Sequence, residues 1–98
     1  MAVNYLDLLA QQIRTEVPST KLPDDNATDL FRIYAVLALA KGDQVDPTDI
    51  HNAWVAWMLR IDPTHESLVP FNELDDTTAR CDTPYVDAIR KVAAEVLK

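Results

Sequence analysis

Hydrophobic residues recur every three or four positions in four separate segments of the chain. This spacing places the apolar side chains of each segment on one face of a helix. It predicts helices from about Asn4 to Val17, from about Thr28 to Lys41, from Pro47 to Ile61, and from Thr83–Pro84 to about Val96. The second segment is apolar on nearly every side, which is typical of a helix at the centre of a bundle.

Residues with strong positional preferences stand at the ends of these segments. Asp46–Pro47 and Thr83–Pro84 each pair a capping residue with a proline at the first helical position. Either Asn26 or Thr28 can cap the second helix, and Gly42 after it suits the left-handed conformation that ends many helices. These local signals agree with the boundaries that the periodicity predicts.

The chain offers little that could form a β-sheet. Its 98 residues include one glycine and six prolines, and they contain no Asn-Gly or Asp-Gly pair of the kind that turns a β-hairpin. The prolines fall between the helical segments instead. We therefore predict one all-α domain over residues 1–98, a compact bundle of about four helices with a structured acidic loop before the last helix.

Acidic residues outnumber basic ones, and the excess is concentrated in that loop. The chain has 16 acidic and 9 basic residues, a formal net charge of -7. Residues 61–82 hold six acids and one arginine, a net charge of -5. Because a negative protein repels phosphate backbones, direct binding to DNA or RNA is not expected.

The acidic loop has three interpretations. The simplest is a solvated surface. The functional one is a docking surface for a basic protein partner at Glu73, Asp75 and Asp76, with association steered by charge and weakened by salt. An acidic mimic of DNA is a further alternative, ranked lower because such mimics are usually more acidic than this chain.

Several classes of protein are disfavoured by what the sequence lacks. No apolar run approaches the roughly 18 residues that span a membrane, and the first residues lack the basic start of a secretory signal, so the predicted location is the cytoplasm. The single cysteine, Cys81, excludes an intramolecular disulfide and cysteine-cluster metal sites. Phosphate-binding loops need a glycine-rich turn before a helix, whereas Gly42 follows one, and no cofactor is expected.

His51 and His65 are the residues suited to acid–base chemistry near neutral pH. Ser67 and Cys81 could act as nucleophiles, but no nucleophile-elbow or Cys-His signature surrounds them. The histidines also lack the spacing of a zinc site. We therefore predict that the protein is not an enzyme and holds no metal, and that both imidazoles orient loop backbone by hydrogen bonding.

Trp54 and Trp57 lie on the apolar face of the third segment, so packing in the core is the default expectation for both. The alternative is that one ring lies at the edge of this face and stacks on a ligand or partner, because tryptophan is enriched at binding hot spots. Arg60 or Arg80 would then supply a bidentate contact to a phosphate or carboxylate.

The second half of the chain resembles the RyR domain, a small repeat named from ryanodine receptors that also occurs alone in bacteria and phages. The matching residues run in the family's order: His51-x-x-Trp54, then His65-x-Ser67-Leu68-Val69-Pro70-Phe71-x-x-Leu74, then Asp82 and a helix with Val86, Ile89 and Val92. The resemblance covers residues 49–96, within an RyR-like part of 47–98. The whole chain also resembles short proteins of actinobacteria and their phages. RyR domains are binding modules, some of which associate with adenine nucleotides.

Two hypotheses follow. The leading one is a small, non-enzymatic interaction module that docks on a protein through the acidic loop. In one version of this hypothesis the protein is encoded by a phage and acts on a host protein. The alternative, implied by the resemblance, is a sensor of a small nucleotide-like ligand with His51, Trp54, His65 and Arg80 around its pocket. A weak hydrolase using a histidine is a third. A homodimer is also predicted as an option, because the second helix has more apolar surface than a four-helix core absorbs.

Overall fold

The computed structural model describes residues 4–22 and 27–96, and in these the backbone forms helices and turns with no strand. Four helices have at least 12 residues, and one has only five. They are α1 (Tyr5–Glu16), α2 (Thr28–Lys41), α3 (Pro47–Met58), the short α4 (Asp76–Arg80) and α5 (Thr83–Val96). Single 3-10 turns occupy Ser19–Lys21, Gly42–Gln44 and Phe71–Glu73. The predicted all-α bundle is confirmed.

Helix α2 is the centre of the bundle, as its composition predicted. It contacts α1, α3 and α5, and it buries Leu30, Phe31, Tyr34, Ala35 and Ala38. Two of its apolar side chains remain outside the core, because Val36 is 51% exposed and Leu39 is 48% exposed. The homodimer prediction was based on uncovered apolar surface of this helix. It stays a prediction.

The sequence predicted the C-terminal end of α2 correctly, but not the residue that caps its N-terminal end. The N-cap of α2 is Ala27, which makes no side-chain hydrogen bond, and Thr28 is the first helical residue. Thr28 is therefore not the cap that the sequence offered. The other candidate, Asn26, lies outside the described residues. Gly42 ends the helix at φ 57° and ψ −128°. An added Cβ would meet no atom within 4 Å, so the backbone conformation alone requires glycine here.

Helix α3 begins as predicted and ends earlier. The side chain of Asp46 accepts a hydrogen bond from the Asp49 N–H at 3.0 Å, and the Asp49 carboxylate accepts one from the Asp46 N–H at 3.0 Å, which makes a capping box. The helix ends at Met58 instead of Ile61, because the Ile61 N–H donates to the Met58 carbonyl three residues back and tightens the chain. Ile61 is consequently 53% exposed and not part of the apolar face.

Helix α5 closes the bundle against α1, α2 and α3. The helix starts at Thr83, one residue earlier than predicted, so Thr83 is helical and is not the cap. Pro84 is then the second helical residue, and Asp82 immediately precedes the helix. Its buried residues are Val86, Ala88, Ile89, Val92 and Ala93. The chain between α3 and α4 packs against α3 through the turn Phe71–Glu73, and it carries four half-buried apolar side chains, those of Leu68, Val69, Phe71 and Leu74.

Among the helices of the described residues, none combines the length and the apolar composition needed to cross a membrane.

A groove between the helices and the acidic loop

A groove of about 1110 Å³ opens where α2, α3 and α5 meet the loop that precedes α4. Aromatic and histidine side chains supply much of its surface. The residues that matter most for its chemistry are Tyr34, His51, Trp54, His65, Asp82 and Tyr85. They come from three helices and the loop, so the bundle packing brings together residues that are far apart in the sequence.

His51 ties α3 to the loop. Its side chain is 3% exposed, and Nε2 donates a hydrogen bond to the Val69 carbonyl oxygen at 2.6 Å. Because a carbonyl can only accept, this bond places a proton on Nε2 and leaves Nδ1 without one in the neutral ring. The predicted task of a histidine that orients loop backbone is confirmed for His51.

Trp54 forms one wall of the groove between the two histidines. Its ring stacks on that of His51 at 5.8 Å between centroids, with 19° between the planes. The edge of the His65 ring meets it at 5.0 Å and 83°. Trp54 is half-buried, whereas Trp57 is buried in the core at 7% exposure. Both tryptophans line the groove, and Trp54, which packs against the core, is the more exposed of the two.

His65 is held by its own loop. Its Nδ1 accepts a hydrogen bond from the Ser67 backbone N–H at 3.0 Å, which again makes the imidazole an organiser of loop backbone, as predicted. The loop that carries it begins with Asp62, whose carboxylate accepts from the Thr64 hydroxyl at 2.8 Å. Two short polar contacts thus fix the position from which His65 reaches Trp54.

Two tyrosines add to the aromatic lining, the half-buried Tyr85 and Tyr34, which is 2% exposed. The rings of Tyr34 and Tyr85 lie 5.4 Å apart, and Phe31 meets Tyr34 edge-on at 5.5 Å from the core beneath. Tyr85 donates its hydroxyl hydrogen to the Lys21 carbonyl oxygen at 2.7 Å. Burial raises the pKa of both tyrosine hydroxyls, so both are neutral at physiological pH.

Asp82 is the unusual polar group of the groove. Its Oδ2 is shut off from water and has no hydrogen-bond partner in the part of the chain that the structure describes. Burial raises the pKa of this carboxyl group to about 6, and the nearby His51 opposes the shift. The sequence named Asp82 only as part of the RyR-like pattern, and nothing local to it signals that the carboxyl would be half-buried without a donor.

Replacing Asp82 with asparagine is expected to stabilise the protein by about 1 kcal/mol at neutral pH. The raised pKa means that the ionised carboxyl is less favourable in the folded than in the unfolded chain, and its partial exposure limits the effect. This penalty is fully present above the folded-state pKa of about 6 and is relieved as pH falls from there toward 4. Urea unfolding of both proteins across this pH range measures it, and a constant difference between them would contradict it.

The predicted site residues divide into those that line the groove and the acidic residues, which are outside its lining. His51, Trp54, His65 and Arg80 all line the groove, with Arg80 exposed at its rim. Arg60, the other arginine considered, instead forms an ion pair with Asp29 at 3.2 Å.

The acidic residues of the predicted docking surface lie away from the groove lining. Glu73, Asp75 and Asp76 are exposed, and within residues 4–22 and 27–96 none of them forms an ion pair. The Asp75 side chain accepts from the Thr78 N–H at 2.7 Å and thereby caps α4. One of the three therefore has a structural task that the sequence analysis did not assign to it.

Ser67 and Cys81 also line the groove, yet in the described residues neither side chain hydrogen-bonds to a histidine. The Cys81 thiol lies 3.6 Å from the Thr77 carbonyl oxygen. No three His, Cys, Asp or Glu side chains of the described ranges stand close enough together to hold a metal ion.

Comparison with known proteins gives a family but no activity. No curated protein and no solved structure matches the chain. The RyR and phage resemblances therefore stay predictions. One family model, described as Domain of unknown function (DUF7701), matches residues 4–94. Since that match spans α1 through nearly all of α5, the chain belongs to the DUF7701 family.

Proposed function

We propose that this domain is a non-enzymatic binding module that takes a small ligand with a flat ring into the groove. The proposal rests on one observation: the four residues that the sequence singled out around a small-ligand pocket, His51, Trp54, His65 and Arg80, line the same groove. The geometry thus favours the alternative hypothesis of the sequence analysis over the acidic docking surface.

The shape and lining of the groove suit such a ligand. Its volume of about 1110 Å³ is slightly above the usual range for small-molecule sites, so a ligand of one or two rings has room. Trp54 and Tyr85 line the groove and are half-buried, so their rings offer aromatic surface for offset or edge-on contacts, whereas Tyr34 at 2% exposure packs against Tyr85 from the core. The exposed Arg80 guanidinium at the rim could contact a phosphate or carboxylate, which keeps nucleotides among the candidates.

A screen of flat-ring compounds, including adenine nucleotides, tests the proposal. A ligand at about 100 times its dissociation constant should raise the free energy of unfolding by about 2.7 kcal/mol, which a thermal-shift measurement detects. In a nitrogen-correlated NMR spectrum, the same ligand should move the Trp54 indole resonance more than resonances of α1. A broad screen in which no compound shifts either observable would contradict the proposal.

A pair of variants locates the binding. Trp54→Leu keeps apolar bulk in α3 but removes the ring that forms the groove wall, so affinity for a hit should fall by about tenfold. Leu59→Ala is the control, since Leu59 follows the same helix, is 50% exposed and lies outside the groove lining. Equal affinities for the two variants would place the ligand elsewhere.

A protein partner at the acidic loop stays a second proposal. It is supported by the exposure of Glu73, Asp75 and Asp76 and by the absence of ion pairs at these residues in the described structure. Neither the DNA mimic nor the cytoplasmic location gains a further argument from the structure, and both remain predictions.

A further inference from the structure

We propose that Asp82 makes the groove selective for a cationic ligand, the recognised group being an amidinium or protonated amine attached to a flat ring. This inference rests on the proposed function, because it names the chemical class that the same groove would take. It uses a carboxyl group that the sequence analysis left without a task.

The first argument is the missing hydrogen-bond donors around the Asp82 carboxylate. A carboxylate has acceptor positions for several donors, yet neither oxygen receives a hydrogen bond from the described residues. Only Oδ2 is shut off from water, and Asp82 lines the groove, so the other oxygen is open to what the groove contains. The donors that a carboxylate oxygen normally finds within the protein must therefore come to this open oxygen from water or from a ligand.

The second argument is that no lysine or arginine of residues 4–22 and 27–96 forms an ion pair with this carboxylate. The groups that face it are His51 from α3, Tyr34 from α2 and Tyr85 from α5, and both tyrosines are neutral at physiological pH. Arg80 and Lys21 also line the groove, but neither forms an ion pair with Asp82. A partly dehydrated, unpaired charge interacts more strongly with an arriving opposite charge than a fully solvated one does.

The aromatic lining favours the same sign of charge. The faces of tryptophan and tyrosine rings carry negative electrostatic potential and attract cations within about 6 Å of the ring centre. Trp54 and Tyr85 are only half-buried, so part of each ring is accessible from the groove. The Asp82 carboxylate and these ring faces together form a lining suited to a flat cation.

Benzamidine, benzamide and benzoate test the inference, since they share a ring and a planar substituent and differ in charge. Affinities are measured by NMR titration at about pH 7.5, above the carboxyl pKa of about 6. Benzamidine should bind at least about tenfold more tightly than benzamide, and benzoate should bind most weakly. In Asp82→Asn the preference for benzamidine over benzamide should fall to less than about threefold.

Two further variants keep the test decisive. Asp82→Glu retains the charge and should retain a preference for the cation. Asp87→Asn removes a charge from an exposed residue of the same groove and should change the preference by less than about twofold. Circular dichroism checks that each variant is folded.

The outcomes separate the two proposals. If benzamide binds as tightly as benzamidine, if benzoate binds best, or if the cation preference survives in Asp82→Asn, the inference is wrong while ring binding stands. If none of the three compounds perturbs the Trp54 indole resonance, and the broader screen also gives no hit, then the proposed function itself fails.

Discussion

Phe31→Ala is expected to lower the free energy of unfolding by about 4 kcal/mol, the largest effect of any single change considered for this protein. Phe31 is 2% exposed in α2 and contacts the rings of Tyr34 and Tyr85 at 5.5 and 6.1 Å. The guanidinium of Arg14 lies over the Phe31 ring, 5.4 Å from its centroid. Alanine would leave a cavity that these neighbours, anchored on three helices, can fill only in part.

Urea unfolding of the wild type and the variant measures this loss. Domains of this size are stable by about 5–15 kcal/mol, so the variant should be near the limit of folding, and Phe31→Leu provides a milder change with an expected loss of about 1–2 kcal/mol. Leu39→Ala is the matched control, because Leu39 is on the same helix but 48% exposed, and it should cost less than about 1 kcal/mol. A Phe31→Ala effect no larger than the control would show that the ring is not the centre of the core.

His51→Ala is expected to cost about 3 kcal/mol, the second largest effect. The change removes the Nε2 donor from the Val69 carbonyl, leaving that acceptor with no protein partner. It also removes a buried ring that stacks on Trp54 and contacts Phe71 at 6.2 Å. The loop before α4 would lose its attachment to α3, so the damage should extend beyond the site of substitution.

Two measurements distinguish this loss of attachment from simple cavity formation. Hydrogen exchange should become faster in residues 65–74, and the Trp54 indole resonance should move, even under conditions in which the variant remains folded. His65→Ala is the control, because His65 is half-buried and, within the described residues, its ring accepts a hydrogen bond only from Ser67 in the same loop; the expected cost is about 1 kcal/mol. Similar losses for both histidines would contradict the special role given to His51.

The fold was predictable where local chemistry dominates. Asp46–Pro47 and Gly42 mark helix boundaries through their own hydrogen bonds and dihedral angles, and the structure has both boundaries at these residues. The end of α3 was not predictable from periodicity, because Ile61 continues the apolar pattern although the chain has already tightened at Met58. Phe31 was missed as a core residue since α2 is apolar on nearly every side, and periodicity then gives no preferred face.

Some of the residues that line the groove were predictable from the sequence, but the unpartnered charge of Asp82 was not. The resemblance to the RyR domain implied that His51, Trp54 and His65 surround one pocket, and all three line the groove. The unpartnered carboxyl of Asp82 depends on how α5 approaches α2 and α3, which no local pattern of residues reports. Residues whose environment is made by tertiary packing are the ones that sequence reasoning could not find.

The hydrogen bond from Tyr85 to the Lys21 carbonyl joins residues 64 positions apart. Contacts between residues so distant in sequence form late when a chain folds, since the entropy of closing a long loop must first be overcome. The lining of the groove is therefore complete only after the helices have assembled, and no short fragment of this polypeptide contains it.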